Sequence, residues 1–210
     1  MFIANEFFDS IAIKQFIKLK DSWFERFVNI KNKDKPFFFD KKINMKNFEK
    51  KINYPISNKQ NFIEYSEVGI DYLRFISQII KKNNGGALII DYGYFNHKMR
   101  NTLQAISNQR YSNVLKNIGN SDITHNINFN LFKKIIKDID EIRELTTNQG
   151  NFLIKIGIKK RAEIISSKLT FLKKADIYYR LNRLIDEKQM GNLFKVMFIK
   201  NKSNKFRLGF

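Results

Sequence analysis

Cysteine is absent from the 210-residue chain. That removes disulfides, thiolate metal ligands and cysteine nucleophiles together. Histidine is nearly absent too: His97 and His125 cannot by themselves make a zinc site. Proline occurs twice and glycine nine times, and no low-complexity linker or internal repeat interrupts the chain. Long apolar runs are missing as well. The best uncharged one, Gly85–Ile90, falls far short of the ~18–20 residues that a membrane-spanning helix needs. Nor is there a G-x-G-x-x-G after a strand, a Walker A loop, an H-E-x-x-H or a G-x-S-x-G. No aromatic-rich stretch matches the RNA-binding signature.

What is present points to a packed domain. Hydrophobic residues make up 43% of the chain and 21 of them are Phe, enough apolar mass to exclude wholesale disorder. The formal charge of +19 invites a nucleic-acid or anionic-membrane partner. Two features weaken that reading. Of the 39 cations only nine are Arg, whereas base and phosphate readers lean on the bidentate guanidinium fork. Lys, Ile and Asn together make 86 of the 210 residues, a bias that an AT-rich genome imposes on any protein. The cations also fall in short, scattered pairs such as Lys41–Lys42, Lys81–Lys82 and Lys133–Lys134. A solvated Lys-rich surface is the expectation, and a dedicated nucleic-acid face is not.

Along the chain, Met1-Phe2-Ile3-Ala4 reads as a strand, with neither the basic start nor the long apolar run of a signal peptide. Residues 13–66 read as short strands joined by polar turns, with Ile13–Leu19, Trp23–Ile30 and Pro36–Phe39 rich in Ile, Val and aromatics. Ser66-Glu67 opens a helix through about Lys82, with Ile70, Leu73, Ile76, Ile79 and Ile80 at helical spacing. Ala87-Leu88-Ile89-Ile90 is a continuous apolar strand buried on both faces, as in a parallel sheet, and Asp91-Tyr92-Gly93 closes it. A polar loop follows. Leu131–Asp138 is a helix, Glu141–Thr146 a strand, Phe171–Glu187 an amphipathic helix and Leu193–Ile199 an apolar closing strand. This alternation argues α/β architecture.

Asn5-Glu6-Phe7-Phe8-Asp9 is the most informative segment. It follows a strand, and open α/β sheets place ligands beyond the carboxyl ends of their strands. Two carboxylates with two aromatic rings between them suit a guanidinium, which carboxylates grip in a fork and rings stack upon. The competing reading makes one carboxylate a helix cap and the phenylalanines core. Asp91 and Tyr92 also lie past a strand; Asp91 either orients a ligand amine or satisfies turn amides. Gly93 provides either a positive φ or a close backbone approach. His125 titrates in the neutral range when unperturbed, yet a lone loop histidine carries no function by itself.

Seven blocks stand in order along the chain. They are Ala4–Asp9, Trp23–Arg26, Gly85–Gly93, Thr102–Ala105, Asp122–Thr124, Gln149–Leu153 and Gln189–Val196. In this order they resemble the carboxy-terminal portion of the MidA-like S-adenosylmethionine-dependent methyltransferases. Mitochondrial members of that family act as complex I assembly factors and methylate a protein arginine. The resemblance implies an α/β fold with a Rossmann-like, mostly parallel sheet, as one domain over 1–210 carrying a small β-rich insertion at about 13–66. It implies S-adenosyl-L-methionine as cofactor and, as partner, a protein substrate with a target arginine. Asn5, Glu6 and Asp9 become the catalytic residues of the acceptor pocket, with Phe7, Phe8, Asp91 and Tyr92 lining it. Gln149, Gly150 and the Gln189–Val196 block build the sheet edge and its turns. No metal is implied. The compartment is the cytoplasm for a bacterial source and the mitochondrion for a eukaryotic one.

In that family the glycine-rich cofactor loop precedes the Asn-Glu-x-x-Asp segment, and here only Met1–Ala4 stands ahead of it. The chain therefore reads as a member lacking the first three strands of its sheet, with its cofactor-binding residues unassigned. Two expectations follow: an apolar edge exposed near Met1–Ala4 and Ala87–Ile90, and little binding of S-adenosylmethionine by these 210 residues. The competing functional reading is a truncated chain without catalysis that serves as a binding or assembly module.

Overall fold

The computed structural model describes residues 1–31 and 35–210, with side chains given for all of these but Lys31. In chain order the first elements are β1 (Phe2–Asn5), β2 (Lys14–Leu19), β3 (Ser22–Lys31), β4 (Lys35–Ile43), α1 (Met45–Ile52), β5 (Phe62–Tyr65) and α2 (Glu67–Asn83). Next come β6 (Gly86–Tyr94), β7 (Gln104–Ser107), β8 (Arg110–Ser112), β9 (Asp122–Thr124) and β10 (Ile127–Asn128). The remainder is α3 (Phe129–Lys137), β11 (Ile142–Asn148), α4 (Gln149–Lys155), α5 (Ile158–Ser166), α6 (Phe171–Ile185), α7 (Met190–Leu193) and β12 (Phe194–Asn201). The chain divides into two compact units, one of residues 1–9, 72–95 and 127–210, the other of residues 10–71 and 96–126.

The first unit is built on a five-stranded sheet in which β1, β6, β12 and β11 lie in that order and β10 also pairs with β6. β1 and β10 run parallel to β6, while β12 is antiparallel to both β6 and β11. Four of the five strands thus point one way, and β12 alone is reversed. The expected α/β class and mostly parallel sheet are borne out. The continuous apolar run of β6 fits its place between β1 and β12, since a central strand covered on both faces has no solvent side to make polar. Ala87 and Ile89 are fully buried, which corrects the expectation of an exposed edge at Ala87–Ile90. The other half of that expectation holds: β1 is the outer strand, and Met1, Phe2 and Ile3 are exposed.

Strand β6 also runs on through Asp91-Tyr92-Gly93 to Tyr94 instead of closing there. The extension has a local cause. β10 pairs with Gly93 and Tyr94 and crosses so closely that a Cβ on Gly93 would sit 2.4 Å from the Ile127 carbonyl and 2.6 Å from the Phe129 ring. Close approach, not a positive φ, is what Gly93 provides. Asn128 then caps α3, its side-chain oxygen accepting from the Asn130 and Leu131 amides at 3.1 Å.

The second unit holds a four-stranded antiparallel sheet in the order β4-β3-β2-β5 and a three-stranded sheet β8-β7-β9. Residues 13–66 are β-rich as expected, with one correction: Met45–Ile52 is a helix. Asn44 caps it, Asn53 ends it in the left-handed region, and Met45, Phe48 and Ile52 share one face. Phe48 packs on Phe16 and Tyr65 with ring centroids 4.6 and 5.6 Å apart. The polar stretch after Tyr94 is likewise not all loop. Asn108 and Gln109, both at positive φ, form the two-residue turn that joins β7 to β8. His125 is buried, with Nε2 3.1 Å from the Ile11 carbonyl oxygen.

Glu64 is the polar anchor of this unit. Its carboxylate accepts from the Gln15 side-chain amide and the Thr102 amide, both at 2.9 Å, from the Thr102 hydroxyl at 2.5 Å and from the Leu103 amide at 3.3 Å. A buried carboxylate with four donors is fully compensated for the water it loses.

Candidate functional site

The carboxyl end of β1 is where the sheet of the first unit opens. The parallel ladder pairs Asn5 with Ile90, and the Glu6 amide extends it by donating to the Ile90 carbonyl at 3.0 Å. Glu6 then takes a φ of 48°, in the left-handed region. That single residue turns the chain out of the sheet, and a non-glycine residue there is worth a functional question. The Asn5 side chain donates to the Glu6 carboxylate at 3.4 Å, and both residues are exposed.

The turn that follows is held by Asp91. One oxygen of its carboxylate accepts from the Phe8 amide at 3.0 Å and the Asp9 amide at 3.3 Å; the other accepts from the Tyr92 amide at 2.9 Å. Asp91 thus satisfies turn amides, the second of its two sequence readings. It is fully buried, and so is Asp9. Burial first, and then the nearby Asp9 charge, push the Asp91 carboxyl up to about 7, against the pull of the three amide donors.

Aromatic packing sets the rest. Phe8 is buried, edge-to-face on Phe132 of α3 at 5.2 Å. Phe7 is 40% exposed, standing edge-on to both Phe8 and Tyr72. Tyr92 lies against Phe194 with centroids 4.1 Å apart. Asn5, Glu6, Phe7, Phe8, Asp9 and Asp91 are therefore brought together at one corner of the sheet. Phe8, Asp9 and Asp91 form its buried support, while Asn5, Glu6 and Phe7 present its accessible surface.

Lys195 is the residue that sequence reasoning missed. It stands opposite Asp91 in the register of β12 and is buried. Its ammonium reaches the Asn192 carbonyl and the Asn192 side-chain oxygen, with the Phe95 ring 5.6 Å away. Burial lowers its pKa. The available signal was a charge inside the apolar run Leu193–Ile199, where a lysine needs a specific partner. The Gln149–Leu153 and Gln189–Val196 blocks meet at a separate junction. Cβ atoms on Gly150 and Gly191 would lie 2.5 and 2.3 Å from the Ile185 carbonyl, and Gln149 donates to the Leu184 carbonyl at 3.1 Å. Around it opens a cavity of about 480 Å³ lined by Asn148, Asn151, Asp186 and Lys188 among others.

The chain is similar to known proteins in sequence and in fold. The chain is 27% identical over 202 residues to "Protein arginine methyltransferase NDUFAF7, mitochondrial" of Xenopus laevis, covering 92% of this chain and 44% of that protein. It is 29% identical over 165 residues to the Caenorhabditis elegans homologue, covering 77% and 38%. It thus spans less than half the length of these curated relatives. In fold it is similar to a Burkholderia thailandensis crystal structure bound to S-adenosyl-homocysteine, with a TM-score of 0.81 and 22% identity over 99% of this chain and 55% of that one. A family model described as "Putative S-adenosyl-L-methionine-dependent methyltransferase" matches residues 1–147, well over half of the chain. By that match, the chain belongs to this family of S-adenosyl-L-methionine-dependent methyltransferases.

Proposed function

We propose that the corner formed by Asn5–Asp9 and Asp91 is the methyl-acceptor side of a protein methyltransferase whose target is an arginine. The observation that carries this reading is the pairing of an exposed carboxylate on a left-handed residue, Glu6, with an exposed ring, Phe7, at the carboxyl end of a parallel strand. Family membership and the arginine methyltransferase names of its relatives support it. When bound, S-adenosyl-L-methionine supplies the electrophilic methyl group. Among the described residues this corner shows carboxylate and aromatic surface and no glycine-rich turn to cradle a nucleoside, so roles are assigned on the acceptor side alone.

A guanidinium is permanently protonated, so one of its protons must leave as nitrogen gains a methyl. Glu6 grips the guanidinium and takes that proton, and its exposure lets it pass the proton to water. Asn5 orients Glu6, and Phe7 stacks on the guanidinium plane. Asp9 and Asp91, which hold the turn in place, are positioning residues. The family resemblance links the activity to respiratory complex I assembly, which makes proteins of that complex the first substrates to try. The test is transfer of labelled methyl groups to arginine by the intact protein, read by mass spectrometry. Glu6→Gln should lower kcat by about 100-fold with thermal stability unchanged, the usual scale for removing a general base. Turnover at the wild-type rate would overturn the assignment.

A further inference from the structure

The amino end of β11 and the carboxyl end of β12 meet at the end of the sheet opposite the Asn5–Asp9 corner. Cations gather there. Arg143 stands opposite Lys200 in the ladder, so the two side chains leave the same face. Lys200 is fully buried, and its ammonium reaches the Phe206 carbonyl. That contact, with the Phe206 ring packed on Phe198 at 5.2 Å between centroids, ties the segment after β12 to the sheet. Two asparagines order the turns of that segment. The Asn201 side-chain oxygen accepts from the Ser203 amide at 2.9 Å and its hydroxyl at 2.8 Å, and the Asn204 side-chain oxygen accepts from the Phe206 amide at 2.9 Å. The Lys202 amide donates to the Glu141 carbonyl at 2.7 Å. Here opens a cavity of about 520 Å³ lined by Arg143, Lys202, Ser203, Asn204, Lys205 and Arg207.

Four of these six side chains are cationic and none is acidic. Among the described residues, none of the four pairs with a carboxylate. The Arg143 Nε–H is buried without a hydrogen-bond partner, and a buried donor left unpaired carries the full cost of its lost hydration. Burial, and then the Arg143 and Arg207 charges, lower the pKa of Lys200 beneath them. We propose that this cavity binds a small polyphosphate anion, a diphosphate group either free or carried by a nucleotide. The inference is independent of the methyl-transfer reading. A phosphoryl group carries about two charges near neutral pH, so a diphosphate brings into one compact space the charge that four converging cations lack. Its oxygens also match the forked donors of Arg143 and Arg207 and supply the acceptor that the Arg143 Nε–H is missing. A carboxylate brings one charge, and a nucleic-acid strand spaces single charges along a surface instead of concentrating them in a cavity. Concavity, the buried unpaired donor and the lack of any acidic lining set this place apart from the solvated lysines elsewhere.

The experiment is isothermal titration of the full chain with pyrophosphate, repeated with ATP, adenosine and citrate as competitors. Pyrophosphate should bind saturably at one site and weaken with salt; ATP should displace it, while adenosine and citrate should compete poorly. Arg143→Gln and Arg207→Gln should each weaken binding by about tenfold or more, the scale of a lost charge-assisted hydrogen bond. Lys41→Gln with Lys42→Gln removes two cations from the other unit and should leave the affinity within about twofold, since charges beyond a Debye length are screened. Nitrogen-15 NMR of the wild-type chain gives a readout that needs no variant to fold: the Arg143 Nε–H signal should shift on titration with pyrophosphate. The proposal is overturned if pyrophosphate shows no saturable binding, if citrate or adenosine competes as well as ATP, if the Lys41 and Lys42 changes weaken binding as much as Arg207→Gln, or if the Arg143 signal stays in place.

Discussion

Two strands of similar length and similar aromatic content end in opposite surroundings. β12, Phe194–Asn201, is buried along nearly its whole length, including two lysines. β4, Lys35–Ile43, carries three consecutive phenylalanines and remains exposed along most of its length. β12 lies between two neighbours in a sheet covered by helices, whereas β4 is the outer strand of a ribbon. Even the charges follow position. Lys195 and Lys200 keep their aliphatic stems in the core and turn their ammonium groups to the Asn192 and Phe206 carbonyls, while Lys41 and Lys42 remain at the surface. Composition does not separate a buried strand from an exposed one; the number of neighbours does.

That contrast can be broken by measurement. Phe194→Ala should cost about 3–5 kcal/mol, the scale for a fully buried aromatic, and urea unfolding would read it directly. A cost below about 1 kcal/mol would mean the core of the first unit is looser than its packing suggests.

Next in size is the pH dependence at Asp91. Its folded-state pKa of about 7 lies above the unfolded value, so the folded state holds the proton more tightly. This contribution to stability is complete below about pH 4 and is lost as pH rises through 7, by at most about 4 kcal/mol. Asp91→Asn should flatten that slope in unfolding curves taken from pH 4 to 8, and an unchanged slope would place the titration elsewhere. Gly93→Ala should cost about 1–3 kcal/mol as an overpacking change against the Ile127 carbonyl. The smallest effect belongs to the ribbon, where Phe38→Ala should shift stability by less than about 1 kcal/mol. A loss comparable to that of Phe194→Ala would show the ribbon to be core.

Much of this was legible beforehand because it depends on local pattern. The period-3.6 spacing from Ile70 to Ile80 marked α2, and the unbroken apolar run of Ala87–Ile90 marked a strand with neighbours on both sides. Asn5–Asp9 stood out through its residue types. α1 was overlooked because Asn and Lys dominate it, although Met45, Phe48 and Ile52 keep helical spacing. The three-stranded sheet of β7–β9 was hidden by short strands and by a turn of Asn108 and Gln109 with no glycine to announce it.

Chemistry that requires cysteine needs no coordinates to be excluded from this chain. Sequence alone also determined the α/β class, the family blocks and the segment that opens the candidate site. Only the tertiary structure decided that Asp91, more than eighty residues away, holds the Phe8 and Asp9 amides, that Lys195 faces inward, and that six apolar side chains of β3 and β4 stay uncovered. Each of these depends on which strands come to lie beside one another, a long-range outcome that local spacing does not encode.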